Sequence, residues 1–536
     1  MPPTQWVPAE APHWPLPTVQ RTPQHAPRNT HHAIHTRNAA ASMSTPTPIS
    51  LTRGAGPTLA EQLALSFADR IGQRLLPAGG RLPSVRDCAR RHGVSAATVV
   101  GAYDLLQAQG LVEARPQRGF FVRDAATAVA NSPSGRPSRL AGNAAAARPL
   151  PAKPPNPPTP RVAPVDATAL VRSMFRPTST LPSPGSGTLP EDWLDAGLLQ
   201  RALRRVNGAG AAAQWLGYGD PAGDPGLRAA LSHRLGDLGV GAHAEQIVTT
   251  VGATHALDIV SRTLLQPGDA VLVDEPGWAI EFARLTRLGA RLLPVPRGPD
   301  GPDLGVMEAL LVAHRPRLYV TVSVLHNPTG QSLSAPVAHR LLRLAEKHDL
   351  TIVEDDTYAW LAPPHATRLA QLDGLQRTVL ISGFSKILAP QWRVGFVAAA
   401  PALAERLIDT KMLGTLTSPA LLEQAVAWCL GPGQGPFRRH VERIAGRLDA
   451  ARARSQRLAT QAGCHFVTPP QGLFGWLDVG VDTEGLAQRM LEEGWLLAPG
   501  ALFHATRRPT SLMRINFATA QDLRFWRRLV ALRGNS

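Results

Sequence analysis

Between Ile247 and Ile381 the chain alternates short apolar runs with stretches of helical character. The runs Ile247 to Val251, Ala270 to Asp274, Leu318 to Ser323, Leu350 to Asp355 and Val379 to Ile381 read as strands, and the longer segments between them as helices. Such alternation predicts an α/β fold with a mostly parallel central sheet covered by helices on both faces. Ligands in open sheets of this kind gather at the carboxyl ends of the strands, so the residues closing each run are the first candidates for chemistry. No internal repeat is evident.

The alternation occupies only part of the 536 residues, and the length prior allows about three to four domain-sized units. Hydrophobic residues make up 44% of the chain with no apolar run near the ~18 residues of a membrane span, so a soluble, cytoplasmic protein is expected. A formal charge of +16 favours an anionic partner such as DNA, although arginines on a large surface are often just solvated. Cys88, Cys429 and Cys464 are few, odd in number and without ligand spacing, which supports neither a disulfide framework nor a zinc site.

Composition divides the chain further. Residues 1–50 are rich in Pro, His, Thr and Ala without hydrophobic periodicity and read as a disordered leader, with Met43 as an alternative start to Met1. The leader is basic and almost free of acids, like a transit peptide, but its prolines exclude a continuous amphipathic helix. Residues 51–124 read as a small helical domain with a two-stranded wing. Leu59, Leu63, Phe67, Ile71 and Leu75 form an apolar stripe on a helix expected to end near Pro77, and a second helix follows Pro83. His92-Gly93-Val94 forms the turn, Ser95 caps a third helix whose Val99, Tyr103 and Leu106 share a face, and Gly110 stops it. Leu111 to Val122 then gives the wing, with its tip at Pro116-Gln117-Arg118-Gly119. Residues 125–172, with Pro154-Pro155 and Pro157-Pro158, read as a semi-extended Pro/Ala-rich linker, and residues 173–536 as the large α/β domain.

Within that domain the run Ser382-Gly383-Phe384-Ser385-Lys386 through Arg393-Val394-Gly395-Phe396 resembles the Schiff-base segment of fold-type-I aminotransferases, which use pyridoxal 5'-phosphate. The resemblance extends over about residues 180 to 530 and implies a role for each matching residue. Lys386 would be the catalytic lysine that holds the cofactor as an internal aldimine. Asp355 would pair with the pyridinium nitrogen, Asn327 and Tyr358 with the ring oxygen, and Trp278 would stack on the ring. Gly252, Ala253 and Thr254 open a helix whose amides and dipole suit the phosphate, joined by Ser385 and Arg393. Tyr218 resembles the tyrosine that reaches the phosphate from a partner subunit, which implies a homodimer. Arg514 would grip a ligand carboxylate bidentately. Gly383 departs from the family pattern, standing where a phosphate-binding Ser or Thr is usual.

Residues 58 to 123 resemble the GntR-type winged helix, on Arg81-Leu82-Pro83-Ser84-Val85-Arg86 and Gly110-Leu111-Val112. That resemblance implies binding to double-stranded operator DNA, with Arg86, Ser95, Thr98 and wing Arg118 as candidate contacts. Ala96, Ala97 and Gly101 stand where the family often carries Arg or Asn, which lowers direct base readout. Together the two parts resemble the MocR-like subfamily of GntR-type transcription regulators. The expected function is a regulator that senses the B6 vitamer or an amine or amino-acid effector. The alternatives are an active aminotransferase with a DNA-binding head, and a DNA-binding protein with an empty ligand domain.

Overall fold

The computed structural model describes residues 51, 56–72, 76, 78–115, 118–123, 179–208, 216–431 and 435–534. The expected leader and the whole of the expected linker therefore lie outside the described residues. In the N-terminal part, helices α1 (Leu59–Gly72), α2 (Val85–His92) and α3 (Ala96–Ala108) precede an antiparallel wing of β1 (Val112–Arg115) and β2 (Gly119–Val122). The side chains of Ser84 and Ser95 cap α2 and α3 by accepting from Asp87 N at 3.2 Å and Thr98 N at 3.1 Å. Gly93 takes φ 63° in the turn between them, where a side chain would be strained. Leu63, Phe67, Cys88, Val99, Tyr103 and Leu106 form the buried core with Val112 and Val122. The first helix is described as far as Gly72, and Leu76 N donates to Arg70 O at 3.2 Å; the expected end near Pro77 lies outside the described residues.

The large part is built on an eight-stranded sheet. Its strands are β3 (Ile247–Thr250), β4 (Ala270–Glu275), β5 (Arg291–Gly298), β6 (Gly301–Pro302), β7 (Leu318–Thr321), β8 (Thr351–Asp355), β9 (Thr378–Gly383) and β10 (Gly395–Ala398). They lie in the order β3-β10-β9-β8-β7-β4-β5-β6. Strands β9, β8, β7, β4 and β5 run parallel, whereas β10 is antiparallel to both β9 and β3. The central strands carry apolar residues on both faces because both are covered: Val271, Val273 and Val353 pack into one core, and Ala270, Leu272 and Ile352 into the other. A second, antiparallel sheet has the order β11 (His465–Phe466), β12 (Phe474–Asp478), β14 (Leu512–Asn516), β13 (Ala498–Pro499). Among the described residues no helix is long and apolar enough to cross a membrane.

This topology concentrates chemistry at one edge. Strands β3, β4, β7, β8 and β9 all end there, and the reversed β10 begins there. Gly395 pairs with Gly383 of β9 and with Thr250 of β3, so the chain just before β10 meets the chain just after β3 and β9.

Candidate cofactor and ligand site

Lys386 follows β9 by three residues, and its Nζ donates to Gly187 O at 2.8 Å. Burial pushes the ammonium down to about 8; Arg514 and Arg393 act in the same direction, and Asp355 opposes them. Asp355 is the buried last residue of β8. Its Oδ1 accepts from Thr357 N at 3.0 Å and from the Thr357 hydroxyl. Burial raises its carboxyl to about 6, against those hydrogen bonds. Asp355 lines a pocket with Trp278, Phe282, Val322, Glu281, His326 and Asp274. The other two carboxylates of that pocket have cationic partners: Asp274 pairs with Arg297 at 2.9 Å and Glu281 with Arg284. Asp355 has no ion pair of its own, which leaves it the acceptor available to a cationic ring nitrogen.

An anion cup lies a few residues away. Gly252, at φ 80°, is the N-cap of the helix Ala253–Leu264, whose first amides have no partner within the helix. Arg393 lies across this terminus, donating from Nη2 to Val251 O at 3.1 Å and from Nη1 to Ser385 Oγ at 3.0 Å. A Cβ on Gly252 would stand 2.4 Å from Arg393 Nη2, and one on Gly395 would stand 2.6 Å from the Gly252 carbonyl carbon, so the cup closes this tightly only around glycines. Arg393 holds the left-handed φ of 50°, a local strain of the kind found at ligand clamps. A Cβ on Gly383 would lie 3.5 Å from Ala253 N, so this position faces the same cup and leaves it one side chain short.

The remaining candidates surround a buried arginine. Arg514, in the middle of β14, donates from Nη1 to Asn327 Oδ1 at 3.0 Å and from Nη2 to Gly185 O at 2.6 Å, while its Nε has no partner. The rings of Phe474 and Phe503 lie 4.5 Å and 5.2 Å from its guanidinium carbon. Burial lowers its pKa to about 10. Tyr358, buried and edge-on to Phe474, hydrogen-bonds Asn327, and burial raises its phenol above the ordinary value. Tyr218 is 85% exposed.

Comparison with known proteins agrees with this geometry. Residues 185–525 match the family described as aminotransferase class I and II, and residues 59–122 match the gntR family of bacterial regulatory proteins. The solved α-aminoadipate aminotransferase LysN from Thermus thermophilus, complexed with N-(5'-phosphopyridoxyl)-L-leucine, superposes with TM-score 0.62 at 26% identity. The match covers 68% of this chain and 96% of LysN. The 2-aminoadipate transaminase of the same species is 32% identical over 289 residues, 52% of this chain and 72% of that protein. Another relative is the probable rhizopine catabolism regulatory protein MocR of Rhizobium meliloti, 31% identical over 410 residues, 74% of this chain and 76% of MocR. The chain belongs to the MocR-like subfamily of GntR-type regulators.

Pyridoxal phosphate is the cofactor of the aminotransferase fold that MocR-like proteins share. The residues of this member fit it: an amine of lowered pKa, a carboxylate without a cationic partner, an aromatic wall at Trp278, and a glycine-lined cup under an arginine. Lys386, Asp355, Asn327, Tyr358, Trp278, Ser385, Arg393, Gly252, Ala253, Thr254 and Arg514 all collect at the carboxyl edge or beside it. In the N-terminal part Arg86, Ser95 and Arg118 are exposed and Thr98 is half-buried. The hydroxyls of Ser95 and Thr98 meet at 2.8 Å in the cap, which commits them partly to the helix. Sequence reasoning missed the carbonyls of Gly185 and Gly187, the Thr357 bonds to Asp355, and Glu281. Thr357 lay in view within Glu354-Asp355-Asp356-Thr357-Tyr358; backbone acceptors leave no such trace.

Proposed function

We propose that this chain is a dimeric, DNA-binding transcription regulator whose large domain holds pyridoxal phosphate at Lys386 and senses the vitamer itself or an amine or amino acid. One observation carries the reading: three sheet strands and the start of a fourth deliver Lys386, Asp355 and the Gly252–Arg393 cup to one edge. Bound there, the cofactor would supply an aldehyde and an electron-withdrawing ring. The chain's own residues do the rest. Arg393, Ser385 and the amides opening the helix Ala253–Leu264 hold the phosphate. Asp355 keeps a proton on the ring nitrogen, Asn327 and Tyr358 hold the ring oxygen, Trp278 covers one face, and Arg514 binds a carboxylate through its fork.

Exposed apolar side chains support the dimer. Leu216, Tyr218 and Leu413 are 89%, 85% and 92% exposed in the single chain and are candidates for burial against a partner subunit. The reading is tested by loading the full-length protein with pyridoxal phosphate, reducing with borohydride and mapping the adduct. The adduct is expected on Lys386 and absent in Lys386→Ala. Operator binding by the loaded and unloaded protein then tests sensing, and amino-acid assays with 2-oxoglutarate test the enzyme alternative. Turnover of order 1 per second or faster would favour an enzyme with a DNA-binding head.

A further inference from the structure

After residues 124–178 the described chain resumes at Ser179, so any tether from the winged helix enters the large domain here. Six consecutive carbonyls of the next segment are bound by the candidate site or by the strand that carries it. Ser183 O accepts from Thr519 Oγ1 at 2.9 Å and Pro184 O from Asn516 N at 2.9 Å. Gly185 O accepts from Arg514 Nη2 at 2.6 Å, and Ser186 O from Asn516 Nδ2 at 3.0 Å. Gly187 O accepts from Lys386 Nζ at 2.8 Å, and Thr188 O from Asn516 Nδ2 at 2.8 Å. The segment is seated without slack, since a Cβ on Gly185 would lie 2.4 Å from the Leu497 carbonyl carbon.

The donors fall into two classes. Asn516 and Thr519 are neutral anchors with no assigned ligand, whereas Lys386 and Arg514 are the two cations the proposed function commits to ligand. A covalent bond at Lys386 Nζ takes the donor that Gly187 O is using, whereas Arg514, with its Nε unpartnered, can meet a carboxylate while still holding Gly185 O. A buried carbonyl that loses its donor cannot stay as it was, because an unpaired buried acceptor is costly. We propose that Ser183–Thr188 is a strap that reads occupation of Lys386 and transmits it along the chain to the winged helix. Lys386 Nζ holds the strap at Gly187 O, and a covalent bond at Nζ frees that carbonyl. The release acts by changing where any tether starts, and with it the reach and effective concentration of the heads. This inference rests on the sensor reading of the site.

The test uses full-length protein in three states: unloaded, loaded with pyridoxal phosphate, and loaded in the presence of a mixture of the common amino acids. Hydrogen exchange should speed up severalfold in peptides covering residues 183–195 on loading, with core strand β8 unchanged, while operator affinity shifts by the roughly 5–150-fold typical of coupled sites. Asn516→Ala removes two anchors and Thr519→Ala one, neither touching Lys386 or Arg514. Both should still form the borohydride-trapped adduct at Lys386 but show less than about twofold dependence of operator affinity on loading, against the wild-type range. If wild-type operator affinity ignores loading, the sensor reading fails and takes the strap with it. If wild-type affinity responds while strap exchange stays flat, or both variants keep the full response, the strap proposal alone is wrong.

Discussion

Lys386 shows how charge and burial combine on a single residue. Burial, Arg514 and Arg393 all favour its neutral amine, and Asp355 alone favours the ammonium. Only the neutral amine attacks an aldehyde, and a lowered pKa means that this form dominates above about 8 instead of above the ordinary lysine range. The rate of cofactor attachment should therefore rise with pH through a midpoint near 8, and Arg514→Gln, which removes a positive neighbour, should move that midpoint upward. Stopped-flow absorbance across the pH range checks both; a wild-type midpoint at the free-lysine value would show that the environment does not act as described. Gly383 allows a second prediction. A serine there places its Cβ 3.5 Å from Ala253 N and 3.2 Å from Val394 O, so a small shift admits a new hydroxyl to the anion cup. One added hydrogen bond to a charged group is worth about 1.5 kcal/mol, so Gly383→Ser should slow cofactor release roughly tenfold, measured by dilution into a trapping agent. These residues were legible in the sequence because each is a side chain of distinctive chemistry closing an apolar run. The partners of Lys386 and Arg514 in the strap were not, since a carbonyl looks the same at every residue.

Elements were legible where period and punctuation agreed. Strands β3, β4, β7, β8 and β9 follow the predicted runs to within about two residues, and in the N-terminal part Ser84, Gly93 and Ser95 mark the helix ends with their own hydrogen bonds and φ. Strand β5 was missed because Pro294 and Pro296 argue against a strand; the sheet accepts them near its edge, where the only outer neighbour is the two-residue β6. Strand β10 is four residues long and antiparallel, so no βα alternation announces it. The capped recognition helix separates two effects that binding assays often confuse. Ser95→Ala deletes the cap and should cost about 1 kcal/mol of stability in the winged-helix part, lowering its melting temperature. Arg86→Ala and Arg118→Ala remove exposed charges and should leave melting unchanged while weakening operator binding. Helix α3 carries no basic residue, so phosphate contacts should dominate, and each arginine that neutralises a phosphate contributes about 0.9 to the log–log salt slope. Unchanged slopes in both arginine variants would move the DNA surface elsewhere.

At the scale of the whole molecule, the assembly is read from what one chain leaves incomplete. Tyr218 bears a phenol suited to a phosphate yet stands 85% exposed, two residues from Leu216 at 89%. If the partner subunit's cup is its destination, cofactor binding and dimerisation are linked, and the linkage is reciprocal. Loading should then depend on protein concentration: dilution below the dimer dissociation constant should weaken pyridoxal phosphate binding, and saturating cofactor should tighten the dimer. Tyr218→Phe separates the contributions, because it removes one hydroxyl and keeps the apolar ring. It should weaken cofactor binding severalfold, by about the 1 kcal/mol of a hydrogen bond, while sedimentation still shows a dimer of the 57.2 kDa chain. A dimer would also bring two winged helices to one operator, so footprints should cover two half-sites whose spacing the assembly sets. Equal cofactor affinity at concentrations above and below the dimer midpoint, with Tyr218→Phe indistinguishable from wild type, would mean that one chain completes its own site and that the exposed tyrosine serves something else.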